Sequence, residues 1–285
     1  MRHPLVSAKT VLITGCSSGI GLASAHYLQA RGWQVLPTAR RGEDLEKLRS
    51  HGFDPISLDL VDARSVAEAA RIALEHGGGK LGGLVNNAGY AQFGAVEDLS
   101  REALRRQFET NVLGMQELTN LLIPAFREQG FGRIVNVSSV YGRISAPLVG
   151  AYCASKYAME ALSDAMRIEL RGSGVALSIV EPGPIVTEFR RNAANQSSDH
   201  LDLEGGGRFG RRYAKSFRRA QESSDKPKPF SAPPEAVARR ILHALTSKRP
   251  RRRYCVTLPA YAVAAMRRVA PDALLDALLA KSARP

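Results

Sequence analysis

Val11-Leu12-Ile13-Thr14-Gly15-Cys16-Ser17-Ser18-Gly19-Ile20-Gly21 is an apolar run that ends in a glycine-rich turn and passes directly into the helical pattern of residues 22–30. A strand, a turn and a helix start thus follow one another. Glycine lets such a turn adopt positive φ and lets a pyrophosphate approach the backbone, while the helix N-terminus offers free N–H groups and a favourable dipole to anionic oxygens. Gly15, Ser17, Ser18, Gly19, Ile20 and Gly21 therefore read as a cradle for the phosphates of a dinucleotide. The spacing is Gly-x-x-x-Gly-x-Gly, not the commoner Gly-x-Gly-x-x-Gly, and tight packing of a helix on a strand would also select glycines here.

Outward from this turn, short apolar runs alternate with helical patterns. Strands are expected at residues 10–14, 34–38, 54–58, 83–86, 133–137, 176–180 and 254–258, and helices at 19–31, 44–50, 63–76, 101–128 and 151–171. The alternation predicts an α/β fold, a doubly wound parallel sheet of about seven strands with helices on both faces. Ligands of such sheets lie at the carboxyl ends of the strands. Pro37 is awkward in the second strand, because proline removes a ladder donor, so that strand is expected to end at Leu36 or to be distorted. At 285 residues and 44% apolar content the chain can bury one sizeable core. Residues 1–285 are read as a single domain.

Tyr152 and Lys156 lie four residues apart in Ala151-Tyr152-Cys153-Ala154-Ser155-Lys156, within the helical pattern that follows Gly150. The two side chains then sit one turn apart on the same face. A phenol titrates near 10, and a neighbouring ammonium favours the phenolate, bringing it into range for proton transfer at neutral pH. The same spacing is common on solvated helix faces, so the pair needs support from elsewhere in the chain.

The glycine turn, the Asn86-Asn87-Ala88-Gly89 run after a buried strand, and Tyr152 with Lys156 together resemble the short-chain dehydrogenase/reductase family over about residues 7–190. The resemblance implies a one-domain Rossmann fold and hydride transfer between a nicotinamide cofactor and an alcohol or carbonyl. It implies that Ser139, with Ser138 as the alternative register, binds the substrate oxygen. By the same resemblance Asn111 holds a water beside the lysine, Tyr152 is the general acid/base, and Lys156 lowers its pKa and binds the nicotinamide ribose. Asp59-Leu60 and Asn87-Ala88-Gly89 would line the adenosine side. Pro182, Gly183 and Thr187, in Glu181-Pro182-Gly183-Pro184-Ile185-Val186-Thr187, would flank the carboxamide.

Cofactor choice is read just after the second strand, at Thr38-Ala39-Arg40-Arg41. Members of the family commonly carry Asp where Ala39 stands, and that acid would repel a 2′-phosphate. A guanidinium at Arg40 can instead grip the phosphate with paired donors, so NADP(H) is expected over NAD(H). Within the family the Tyr152–Tyr157 segment, Arg40 and the C-terminal extension look most like the steroid 17β- and retinol-dehydrogenase branch. A hydrophobic aldehyde or ketone is the substrate this implies. A cofactor-binding regulatory or scaffold protein with the same fold is the alternative, and its mark would be loss of a catalytic residue.

Residues 188–230 are expected to form a variable region over the substrate, and 233–285 a basic extension of helices and the last strand. Arg208, Arg211, Arg212, Lys215, Arg218 and Arg219 form one basic group, and Lys248, Arg249, Arg251, Arg252 and Arg253 another, within a net charge of +13. Such charge attracts nucleic acid or anionic lipid, yet no interleaved aromatic platform accompanies it, so no specific nucleic-acid role is expected. Two amphipathic stretches over residues 260–280, broken at Pro271, are read either as a peripheral membrane contact or as helices packed on the domain or on a partner subunit. Cys16, Cys153 and Cys255 lack metal-ligand spacing and read as free thiols. With no apolar run long enough to span a bilayer and no apolar leader in residues 1–8, a cytoplasmic location is expected. The resemblance adds a homodimer or homotetramer joined through the two long helices.

Overall fold

A computed structural model of the chain describes residues 2–197, 208–222 and 229–282. Seven strands form one parallel sheet in the order β3-β2-β1-β4-β5-β6-β7: β1 Thr10–Ile13, β2 Gln34–Ala39, β3 Ile56–Ser57, β4 Gly83–Asn86, β5 Gly132–Val137, β6 Val175–Pro182 and β7 Arg253–Val256. Successive side chains of a strand point to opposite faces, and β1 divides its residues between two cores accordingly. Val11 and Ile13 pack with α1 (Gly19–Gln29), whereas Leu12 packs on the other face with α3 (Ala63–His76). Strand order reverses beside β1, whose neighbours are β2 and β4. In open sheets of this kind that reversal opens a crevice at the carboxyl ends.

Three elements depart from the sequence expectations. β2 continues through Pro37 to Ala39. Ala39 accepts a hydrogen bond from the Leu58 N–H at 3.0 Å, so its backbone faces β3. Pro37, two residues earlier, faces the same way, and β3 begins only opposite Thr38. The missing donor therefore falls outside the paired register. The strand expected at 54–58 shrinks to Ile56–Ser57 for the related reason that Pro55 cannot donate to a ladder.

The helix expected over 101–128 is divided. α4 (Arg101–Phe108) and α5 (Gly114–Glu128) are joined by one π-helical segment, Glu109–Leu113, that contains Asn111. Such segments cluster at functional sites. Tyr152 and Lys156 lie on α6 (Gly150–Glu169), the long helix that shares the second core with α5. α2 (Gly42–Ser50) follows β2, and α7 (Phe189–Ser197), α8 (Gly210–Glu222), α9 (Glu235–Thr246), α10 (Leu258–Val269) and α11 (Asp272–Ser282) complete the described helices. Parts of the expected substrate-covering region, residues 198–207 and 223–228, lie outside the described residues.

Candidate active site

The glycine turn after β1 is compact for reasons visible atom by atom. Gly15 has φ +71°, and a Cβ there would lie 2.7 Å from the Ala88 Cα. A Cβ on Gly21 would meet the Gly15 carbonyl oxygen at 2.1 Å and Asn87 Nδ2 at 2.6 Å. Tight packing thus accounts for Gly21, while Gly15 serves both the positive φ and a close approach of two loops. Gly21→Ala is expected to cost about 1–3 kcal/mol, the usual range for overpacking, read as a lower urea midpoint with unchanged slope.

Two threonines to which the sequence reading gave no role hold this turn. Thr14 Oγ1 accepts the N–H groups of Asn87 at 3.0 Å and Ala88 at 2.9 Å. Asn87 Nδ2 in return donates to the carbonyls of Thr14 and Gly15 at 2.9 and 3.0 Å. The Asn87 amide is therefore a latch between the β1 and β4 loops. Thr38 adds a second latch, accepting the Cys16 N–H at its carbonyl at 2.8 Å and the Gly15 N–H at its hydroxyl at 3.3 Å. A hydroxyl at the end of a strand was the available signal, but only pairing across the sheet shows what it binds.

Ser18 caps α1 without a side-chain hydrogen bond, so the first-turn N–H groups open toward a cleft of about 1590 Å³. This cleft is lined by Gly15, Ser17, Ser18, Gly19 and Ile20, by Arg40, Asp59 and Leu60, and by Asn87, Ala88 and Gly89. Ser138, Ser139, Tyr152, Lys156, Pro182, Gly183 and Thr187 line its other part. Gly21 and Asn111 stand behind the wall. A continuous cleft with amide donors at one end fits an extended dinucleotide. Arg41 is engaged by Glu43 and Asp44, each at 3.1 Å, whereas Arg40 is exposed and has no ion-pair partner among the described residues. Asp59 accepts the Val61 N–H at 3.1 Å and so helps shape its own turn.

At the far end, Tyr152 is buried against Ala91 and Ala193, with Phe93, Tyr141 and Val149 packed around that group. Burial pushes its phenol well above the ordinary tyrosine range, while a hydrogen bond with Ser139 pulls it down in part. Lys156 Nζ donates to the Val137 carbonyl at 2.9 Å and lies 5.7 Å from the Tyr152 ring centroid. Burial lowers its pKa to about 8, with Glu160 acting to raise it. In the free chain the phenol is therefore neutral, and the sequence-based expectation of a phenol already lowered toward neutral pH is not what the site presents. Burial is the dominant influence on the phenol.

Asn111 is fully buried and its amide is spent on protein partners. Nδ2 donates to the Tyr90 carbonyl at 2.9 Å and Ser155 Oγ at 3.1 Å, and Oδ1 accepts the Tyr90 N–H at 3.1 Å. It fastens the loop after Gly89 to α6 one residue from Lys156. The π-helical segment is what turns this side chain inward.

A doubly wound sheet whose switch-point cleft joins a glycine turn to a buried Tyr–Lys–Ser group is the architecture of a nucleotide-dependent oxidoreductase. The family model for short chain dehydrogenases matches residues 9–198, and the chain belongs to that family. It is a short-chain oxidoreductase that uses a nicotinamide dinucleotide. It is 42% identical to an uncharacterized oxidoreductase of Escherichia coli, YbbO, covering 96% of this chain and 95% of that one. It is 33% identical to an NADPH-dependent 3-dehydrocapnine reductase of Ornithobacterium rhinotracheale, covering 95% of each. It is 36% identical to the 17-beta-hydroxysteroid dehydrogenase type 6 of Rattus norvegicus, covering 97% of this chain and 89% of that one. Among solved structures, a short-chain dehydrogenase/reductase of Burkholderia phymatum in complex with NAD superimposes with a TM-score of 0.76 at 26% identity, covering 93% of this chain and 94% of that one.

Proposed function

We propose that the protein is an NADP-dependent carbonyl reductase that interconverts a hydrophobic aldehyde or ketone with its alcohol. The observation that carries this reading is the buried Tyr152 phenol, hydrogen-bonded to Ser139 and backed by Lys156, at the opposite end of one cleft from the glycine turn and Arg40. The glycine turn, Asp59, Leu60, Asn87, Ala88 and Gly89 would hold the adenosine and pyrophosphate, with Arg40 on the 2′-phosphate. Pro182, Gly183 and Thr187 would flank the carboxamide. When bound, the reduced cofactor supplies hydride to the carbonyl carbon. Ser139 orients the carbonyl oxygen, Tyr152 gives that oxygen its proton, and Lys156 places positive charge beneath the phenolate that results. The apolar wall of Phe93, Tyr141, Val149 and Phe189 supports a hydrophobic substrate. The NADPH-dependent relative named above supports the cofactor choice.

The test is nicotinamide fluorescence titration with NADPH and NADH, followed by absorbance at the reduced-cofactor band on adding medium-chain aldehydes, retinoids and steroids. Tight NADPH binding with carbonyl-dependent oxidation is expected. Binding with no oxidation across all three panels would sink the reductase reading and favour a cofactor-binding scaffold.

Reduction should also have an alkaline limit set by Lys156. Its folded pKa of about 8 is depressed by burial, so below that pH the ammonium is present and supports the developing phenolate. As pH rises through about 8 the charge is lost, and kcat for reduction is expected to fall. A profile flat from pH 7 to 10 would remove the lysine from this role.

Two exposed apolar surfaces support the expected partners. Leu113, Leu121, Leu162 and Ile168 are exposed on the π segment, α5 and α6, which favours a homodimer or homotetramer paired through these helices. On α10 and α11, Leu258, Tyr261, Val269, Leu274 and Leu278 are exposed, Val269 by 83%. Arg267 and Arg268 sit beside them, an arrangement that favours peripheral attachment to an anionic membrane. No described helix is long and apolar enough to cross one. Sedimentation should give a dimer or tetramer, and flotation with phosphatidylserine vesicles should carry the protein upward at low salt. A monomer that stays at the bottom of the gradient would overturn both.

A further inference from the structure

Tyr152, Lys156 and Glu160 succeed one another at four-residue intervals on α6, and all three are buried. A buried carboxylate one turn behind the active-site lysine requires compensation, and the structure supplies it from Arg253 of β7, itself part of a wider ion-pair network. Arg253 of β7 donates to Glu160 Oε2 at 2.7 Å and to Asp164 Oδ1 and Oδ2 at 2.9 and 2.8 Å. Its Nε lies 3.0 Å from Oε1 of Glu181 on β6, a side chain only 1% exposed. Arg143, after the turn Val140–Gly142, holds both Glu181 oxygens at 2.9 and 2.8 Å. Arg167 donates to Asp164 at 2.8 Å. Three carboxylates and three guanidiniums thus form one ion-pair network, with Glu160 and Glu181 buried and Asp164 and the arginines part-exposed around them.

The groups that act on Glu160 or feel its charge are Lys156 from α6, Ser138 and Arg143 from the segment after β5, Glu181 from β6, and Arg253 and Cys255 from β7, with Asp164 of α6 sharing Arg253. Cys255 Sγ donates to Glu181 at 3.5 Å. Burial and the neighbouring Glu181 charge push the Glu160 carboxyl up, while the Ser138 hydroxyl and Arg253 pull it back toward the ionised form. At Gly142 a Cβ would strike Ser138 Oγ at 2.7 Å and crowd Glu160 Oε1 at 3.2 Å. The glycine keeps open the space between those two buried atoms, neither of which has a hydrogen-bond partner among the described residues.

We propose that Glu160 is a positioning residue for the reaction. Clamped by Arg253, its carboxylate holds the Lys156 ammonium charged beneath the Tyr152 phenol, and so sets the pH above which carbonyl reduction fails. This rests on the roles of Tyr152 and Lys156 given under the proposed function. A lattice that only tied α6 to β6 and β7 would lose stability on substitution but would leave the Lys156 titration where it was.

The experiment is a pH titration of lysine side-chain methylene NMR signals in the full-length protein, with the Lys156 signal identified by its loss in Lys156→Arg. Glu160→Gln keeps the shape and removes the charge, and is expected to move the Lys156 midpoint down by about 0.5–1 pH unit, roughly a three- to tenfold loss of proton affinity. Ser138→Ala, a milder change, withdraws the hydroxyl that favours ionised Glu160 and should move the midpoint the same way by less. The alkaline limit of NADPH-dependent reduction should follow the NMR midpoint in each variant. Midpoints that coincide with the wild type in both variants, or a shifted midpoint with an unmoved reduction profile, overturn the proposal. Absence of any carbonyl reduction by the wild type would instead overturn the reading on which it rests, a failure separate from a null NMR shift.

Discussion

Tyr152→Phe is expected to lower kcat/KM for carbonyl reduction by about 10²–10⁴-fold, the range that a positioned general acid contributes, while the NADPH dissociation constant changes by less than about threefold. The ring is held by packing against Ala91 and Ala193, by an edge contact with Tyr141 and by a tilted one with Phe189, none of which needs the hydroxyl. Loss of the oxygen therefore removes the proton donor and leaves the cleft its shape. Ser139 loses one partner but still accepts the Tyr141 N–H at 3.2 Å, so the serine stays in place. Comparing the two constants in one preparation separates chemistry from binding. Full activity with intact NADPH binding would show that the proton comes from another group, with Ser139 the nearest candidate.

How much of this site could be read from the chain follows from the range of the interactions involved. The glycine turn, the order of strands and helices and the Tyr152–Lys156 spacing are local patterns, and the structure keeps that order while moving the ends of β2 and β3 and dividing the helix expected at 101–128. Long-range pairing was opaque. Thr14 acts on Asn87 and Ala88 across 73 and 74 positions, and Arg253 meets Glu160 across 93. Arg253 looked like one more cation in a solvated basic run, because nothing in the run distinguishes the member that β7 carries inward. Asn111 is placed in the site by resemblance only, within a helix expected to run unbroken over 101–128. The π segment that turns it toward Tyr90 is only five residues long, and the phase shift of about 100° that one added residue brings is hard to see between flanking helices of two to four turns. Pro37 was weighed as a strand breaker by composition, whereas its tolerance depends on where the neighbouring strand happens to begin.

Arg40→Ala is expected to weaken NADPH binding by about 10–150-fold and NADH binding by less than about threefold, which would collapse the preference between them. The range follows from the value of hydrogen bonds to charged groups, about 1.5–3 kcal/mol, at 1.4 kcal/mol per tenfold in affinity. The adjacent arginine provides the control. Arg41 caps α2 and is held by Glu43 and Asp44, so its charge is already answered and Arg41→Ala should leave both constants within about threefold. Arg40 follows the buried Ala39 at the carboxyl end of β2, lines the same cleft as the glycine turn, and carries no ion pair among the described residues. A general effect of net charge would make the two substitutions equivalent, because each removes one positive charge from a chain that carries +13. Equal losses in both variants, or equal loss of NADPH and NADH in Arg40→Ala, would therefore refute a specific 2′-phosphate contact. Raising the salt concentration sharpens the comparison: screening reduces the diffuse attraction common to both arginines, so a difference that persists belongs to direct contact at Arg40.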